Sequence, residues 1–214
     1  MIYVQNLVKN MRTHLLKLIL LFIFLYLQKS FPYSLDSLVL VTDLDSTILT
    51  DVRYATTNNF TGKILYTTDK VYLIDEVAKA LVKAHQYLKK KYNLRIKIYD
   101  GYRPLSVQKK LWEVYPDERY VANPQKGSRH NRGCAVDITL VDKNGKELNM
   151  GTNYDDFTEK AHIHYKKLPS KVLNNRKILR ETMIRFGFIP NRTEWWHFDY
   201  RDWKKYPVLD IEVK

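Results

Sequence analysis

The chain has 214 residues, 45% of them hydrophobic, a formal charge of +13 and a single cysteine, Cys134. Length and apolar content suit one core and one domain, and a lone cysteine excludes an intramolecular disulfide while leaving the redox compartment unread. Four of the basic residues fall in the first 30, leaving +9 dispersed over the rest, as in Lys89-Lys90-Lys91 and Lys166-Lys167; with no nucleic-acid module beside them, no nucleic-acid partner is expected, and a solvated basic face drawn to anionic polymers is the reading.

In chain order, Lys9, Arg12 and Lys17 precede an unbroken apolar run from Leu18 to Leu27, with no acidic residue before Asp36. This is a signal-peptide arrangement, and ten apolar residues are short for a membrane span. Residues 1–30 are expected to be a signal peptide or, because no small-x-small cleavage site follows, an uncleaved membrane anchor. Residues 31–214 would then form the catalytic domain, in the periplasm or cell envelope, with membrane association only through the leader. A cytoplasmic chain with a fortuitous apolar leader is the alternative. Next, Leu38 to Val41 runs into Asp43-Leu44-Asp45-Ser46-Thr47. That Asp-x-Asp-x-Thr pattern is shared with haloacid-dehalogenase phosphatases, but no βαβ series accompanies it, so it reads as a short strand and turn.

A helix is expected from about Val71 to Lys91, with Val77, Leu81 and Leu88 near one face. Leu94, Ile96 and Ile98 then alternate as a strand that delivers Asp100 to Arg103. Val136, Ile138 and Leu140 alternate with Asp137 and Thr139, a half-buried strand with Asp137 on its other face. His130 would lie on the loop leading into it, and Gly133 permits a turn or close backbone approach there. A second helix, about Ser170 to Phe186, uses Val172, Leu179, Met183 and Phe186 and is stopped by Gly187. The last strand spans Trp196 to Tyr200, where alternation groups Trp195, His197 and Asp199 on one face. Glu194 would fall on the wrong face for His197, so a bend or bulge at the start of this strand is expected to re-aim it. The fold class is α+β, a single domain whose small, mainly antiparallel sheet carries the site between flanking helices.

The chemistry is concentrated in Ser128-Arg129-His130-Asn131-Arg132-Gly133-Cys134-Ala135-Val136-Asp137 and Glu194-Trp195-Trp196-His197. A catalytic zinc takes three protein ligands and keeps a fourth position for water. His130, Asp137 and His197 are the candidate ligands. A carboxylate is still needed to take the water's proton and pass it to the leaving amine, and Glu194 is the candidate base. Together they suggest a zinc hydrolase. Cys134 offers a fourth ligand that would close the site and make it structural. His162 and His164 are read as structural or supporting, with His14 and His85 as background.

Five blocks, in order, carry a resemblance: residues 53–62 (Arg-Tyr-Ala-Thr-Thr-Asn-Asn-Phe-Thr-Gly), Asp100-Gly101-Tyr102-Arg103-Pro104, His130 to Asp137, Met150-Gly151-Thr152-Asn153-Tyr154-Asp155, and Glu194 to His197. On these the chain resembles the D-Ala-D-Ala dipeptidases, zinc peptidases related to the D,D-carboxypeptidases of cell-wall metabolism, over roughly Asp51 to Tyr206. The resemblance implies one zinc per chain on His130, Asp137 and His197 and catalysis by Glu194. It implies that Arg103 stabilises the oxyanion, that Asp155 pairs with the substrate's ammonium, and that Tyr54 and Ser128 line the substrate pocket. The implied reaction is hydrolysis of a small D,D-dipeptide by zinc-activated water. Asp155 as a cap after a turn is the plainer alternative. Two other functions stay open: a D,D-carboxypeptidase or endopeptidase acting on peptidoglycan peptides, and a noncatalytic cell-wall binding module. Oligomeric state is not legible.

Overall fold

The computed structural model describes Lys17 and residues 37–213, and the fold belongs to the unit that begins at Ser34. Apart from Lys17, the expected leader lies outside the described residues. Among the described residues no helix is long and apolar enough to cross a membrane.

The fold opens with β1 (Leu38–Leu40), which pairs antiparallel with β3 (Tyr72–Ile74), Leu38 opposite Ile74. Between them come a single helical turn, Val41–Leu44, and β2 (Leu49–Thr50). The Asp-x-Asp-x-Thr segment is a turn, as expected. Asp45 Oδ1 accepts from the Thr47 amide at 2.9 Å and its hydroxyl at 2.5 Å, and Thr47 Oγ1 lies 2.9 Å from His85 Nε2. His85 Nδ1 accepts from the Ile96 amide at 3.1 Å, so its proton sits on Nε2. Burial pushes its pKa down to about 4, so it stays neutral as a structural histidine.

The expected helix from Val71 begins four residues late. Tyr72-Leu73-Ile74 pairs with β1, and α1 runs Asp75–Tyr92. The acidic pair Asp75 and Glu76 marks the true first turn and Lys89 to Lys91 the last, each complementing the helix dipole. Asn93, at φ 55°, ends the helix in the left-handed conformation. Its buried stripe is Val77, Ala78, Leu81, Val82, Ala84, His85 and Leu88. A fully buried Leu contributes roughly 1.5–3 kcal/mol, several times what propensity supplies per residue, so packing holds α1 in place.

The main sheet has the order β2-β4-β5-β7-β6, built from β4 (Arg95–Asp100), β5 (Ala135–Val141), β6 (Phe188–Pro190) and β7 (His197–Tyr200). All pairings are antiparallel except β2 with β4. Helix α2 (Leu105–Val114) follows β4, and α3 (Ser170–Arg185) ends before Gly187 as anticipated. Helices α1 and α3 pack on each other and on the sheet. Val136, Ile138 and Leu140 join the core cluster with Leu81, Leu88 and Leu179. The expectation of a half-buried β5 is corrected: all seven of its residues are buried, because β4 and β7 flank it and the face bearing Asp137 is covered by the site.

Gly133 is where the site loop meets β1 and β3. At φ +62°, a Cβ would lie 2.9 Å from Leu38 Cδ2 and 3.1 Å from the Ile74 amide nitrogen. Gly133→Ala is expected to cost about 1–2 kcal/mol from the left-handed backbone alone, and more from the clash. The melting temperature should fall by at least about 2–8 °C; an unchanged melting curve would show that the loop relaxes freely.

Candidate metal centre and active site

Asp137 on β5 and His197 on β7 are directly opposed in the antiparallel register. His130 comes from a short 3-10 turn, His130–Arg132, just before β5. The three donor atoms form a tight triangle: His197 Nδ1 to Asp137 Oδ1 is 3.0 Å, His130 Nε2 to His197 Nδ1 3.1 Å, and His130 Nε2 to Asp137 Oδ1 3.4 Å. A tetrahedral ion with bonds of about 2.0–2.1 Å keeps its donors about 3.3–3.4 Å apart. The triangle therefore fits zinc. It is also the one group of three or more such side chains found among the described residues.

Each donor is oriented from behind. His130 Nδ1 hydrogen-bonds to the Gly101 carbonyl at 2.7 Å, leaving Nε2 free for a metal, whereas His197 turns Nε2 to Asp199 Oδ1 at 2.9 Å and offers Nδ1. Tyr154 Oη donates to Asp137 Oδ2 at 3.0 Å, leaving Oδ1. Such outer contacts fix tautomer and ring plane. Burial opposes the Asp137 charge, yet His130 and His197 hold its pKa well below the usual range. Burial opposes protonation of His197 too, and Asp199 and Asp137 overcome it, holding its pKa well above normal. Cys134 is buried with its thiol on the Arg132 carbonyl, pushed up to about 12 by burial; it, His162 and His164 stand outside the triangle.

Glu194 sits before a turn, Trp195–Trp196, with the His197 amide reaching back to its carbonyl. That bend brings it into the same cleft as His197, and β7 begins one residue later than expected. Its side chain is buried, Oε2 accepts from Asn191 Nδ2 at 2.8 Å, and burial raises its pKa to about 8. Arg103, at the end of β4, is also buried; burial opposes its charge, but Asp100 outweighs this and holds its pKa well above normal. Its guanidinium lies 5.1 Å over the Tyr54 ring.

The model of the family described as D-Ala-D-Ala dipeptidase, Peptidase M15, matches residues 36–210. The chain belongs to this family. The M15 chain is 35% identical over 174 residues to a D-alanyl-D-alanine dipeptidase of Escherichia coli K12, covering 81% of this chain and 88% of that one. It is 33% identical over 178 residues to one of Enterococcus faecalis, covering 73% and 87%. Among solved structures, VanYB in complex with D-alanine-D-alanine aligns at TM-score 0.41 with 17% identity, over 65% of this chain and 77% of that one.

In this M15 peptidase the remaining expected residues gather on the same cleft. Tyr54, Ser128 and Asp155 line it with Arg103, Glu194 and the triangle. Its volume of about 110 Å³ is well below the roughly 300–1,000 Å³ of drug-sized sites. Asp155 is a non-glycine residue at φ 59°, a strained conformation of the kind that clusters at functional positions. Tyr54 Oη donates to its carboxylate at 3.3 Å, and burial, then Asp137, raises its pKa to about 8. Capping of the local turn falls to Asp156, whose Oδ1 accepts from the Thr158 amide at 2.9 Å. Ser128 has a structural task as well: its Oγ accepts from the His130 amide at 3.2 Å.

Several supporting residues were missed by sequence reasoning. Asp100, Gln108, Tyr154 and Arg176 act through partners distant in sequence or through carbonyls. Buried Arg176 on α3 donates to the carbonyls of Met150, Lys160 and His162 at 2.6, 2.9 and 3.3 Å, clamping the segment that carries Asp155. Phe60, Tyr120 and Phe157 wall the cleft, with Tyr120 and Phe157 stacked at 4.8 Å. Asp100 and Tyr154 lie inside two of the five sequence blocks, and Asp199 shares the His197 face by alternation. Those were the available signals.

Proposed function

We propose that the chain is a zinc-dependent D,D-dipeptidase that hydrolyses D-Ala-D-Ala, with one zinc held by His130, Asp137 and His197. The reading is carried by one juxtaposition: the three-donor triangle and a buried carboxylate, Glu194, share a small cleft with Asp155 and Tyr54. Zinc bound there would polarise the scissile carbonyl and acidify a water. Glu194 takes the proton of the attacking water and delivers it to the departing amine. Arg103 meets the negative charge that develops on the carbonyl oxygen with a permanently charged donor fork. Asp155 receives the substrate's ammonium, which restores its charge by placing a cation beside it. Phe60, Tyr120 and Phe157 exclude water and bulk from that end. An ammonium-binding carboxylate in so small a cleft restricts the substrate to a free dipeptide.

The test is D-alanine release by the full chain, with and without added zinc, from D-Ala-D-Ala and from its N-acylated analogue. Zinc-dependent release from the free dipeptide, with at least about a hundredfold lower kcat/KM for the analogue, is the expected outcome; one lost charge-assisted contact of about 3 kcal/mol gives that factor. Efficient cleavage of the acylated compound would instead indicate a carboxypeptidase or endopeptidase of wall peptides. Absence of release from both, with zinc bound, would favour a binding module.

A further inference from the structure

Arg103 carries five N–H donors. Nε and Nη2 both address one oxygen, Asp100 Oδ2, at 3.0 and 2.6 Å, and Nη1 donates to Gln108 Oε1 at 2.8 Å. One N–H remains on each terminal nitrogen. A grip on a single carboxylate oxygen lets the guanidinium pivot about that oxygen, and the Nη1 contact is what fixes its plane. Gln108, on α2, is fully buried and committed at both ends, since its Nε2 donates to the Ala122 carbonyl at 2.7 Å. Turning the amide over would set donor against donor and acceptor against acceptor. Ala122 belongs to the loop after α2, whose Glu118, Arg119, Tyr120 and Val121 also line the cleft.

We propose that Gln108 is a positioning residue: it locks the plane of the Arg103 guanidinium and ties it to the loop that walls the cleft, so that the two remaining N–H groups are aimed at the substrate carbonyl oxygen. This rests on the reading of Arg103 as the oxyanion donor.

The test measures kcat, KM and melting temperature of the zinc-loaded full chain on D-Ala-D-Ala. Gln108→Met is expected to lower kcat about 10- to 100-fold while KM moves less than about threefold, as for a contact that matters in the transition state. Gln108→Asn, too short to span both partners, should behave alike and keeps a buried amide should the apolar variant not fold. Gln108→Glu still accepts from Nη1 but sets a carboxylate oxygen against the Ala122 carbonyl, so it should lose less kcat than Gln108→Met without reaching the wild type. In an Arg103→Met background, adding Gln108→Met should cost less than about a further twofold. Unchanged kcat in the Met and Asn variants, equal losses in Glu and Met, or additive losses in the double variant would overturn the proposal while leaving Arg103 in its role. Wild-type turnover by Arg103→Met would instead overturn the role of Arg103, and the proposal with it.

Discussion

Glu194→Ala is expected to keep its zinc and lose about 10²–10⁴ in kcat, the range a positioned general base contributes. Glu194 is buried in the cleft, but it is not one of the three donors of the triangle. Metal content should therefore stay at one per chain by elemental analysis while single-turnover hydrolysis of D-Ala-D-Ala slows. Its neighbour Asn191 already anchors one carboxylate oxygen at 2.8 Å, so Glu194→Gln should preserve the local turn and show the same kinetic loss without a change in melting temperature. Near-native turnover would move the base elsewhere, and loss of zinc would make Glu194 a ligand.

Asp100→Ala should have the largest effect on stability. The Asp100 side chain is fully buried and gathers Arg103, the Tyr66 hydroxyl at 2.7 Å and the Gly101 amide at 2.9 Å. Its removal leaves the Arg103 charge buried beside Gln108 and Tyr54. Breaking a buried pair by deleting one partner costs about 3–5 kcal/mol, which lowers the melting temperature by roughly 6–20 °C in a domain of this size. Activity should fall as well, since the same carboxylate aims Arg103. A variant that melts like the wild type would mean that the guanidinium has found water or another partner.

The parts of the site written as local patterns were legible. The β5 alternation set Asp137 opposite the apolar core, and the need to re-aim Glu194 anticipated the turn at Trp195–Trp196. The late start of α1 was not legible, because Tyr72-Leu73-Ile74 continues a helical apolar pattern and only its pairing with Leu38–Leu40 draws it into a strand. Full burial of β5 depended on neighbours 40 and 60 residues away in the chain. Gln108 and Arg176 look on paper like solvent-facing helix residues. What buries them is a set of carbonyls in distant loops, and a carbonyl leaves no mark in the residue alphabet.

The facing of Asp137 and His197 across β5 and β7 makes the chemistry a matter of parity. Trp196 and Phe198 occupy the positions on either side of His197 and are almost wholly buried, so the hydrophobic demand of those two rings decides which way the histidine between them points. A slip of one residue would send His197 to the opposite face and the Phe198 ring out of the core, a loss on both counts. These two buried rings thus act as the ratchet that keeps the ligand in phase, and drift in the catalytic geometry is resisted by the same burial that holds the sheet together.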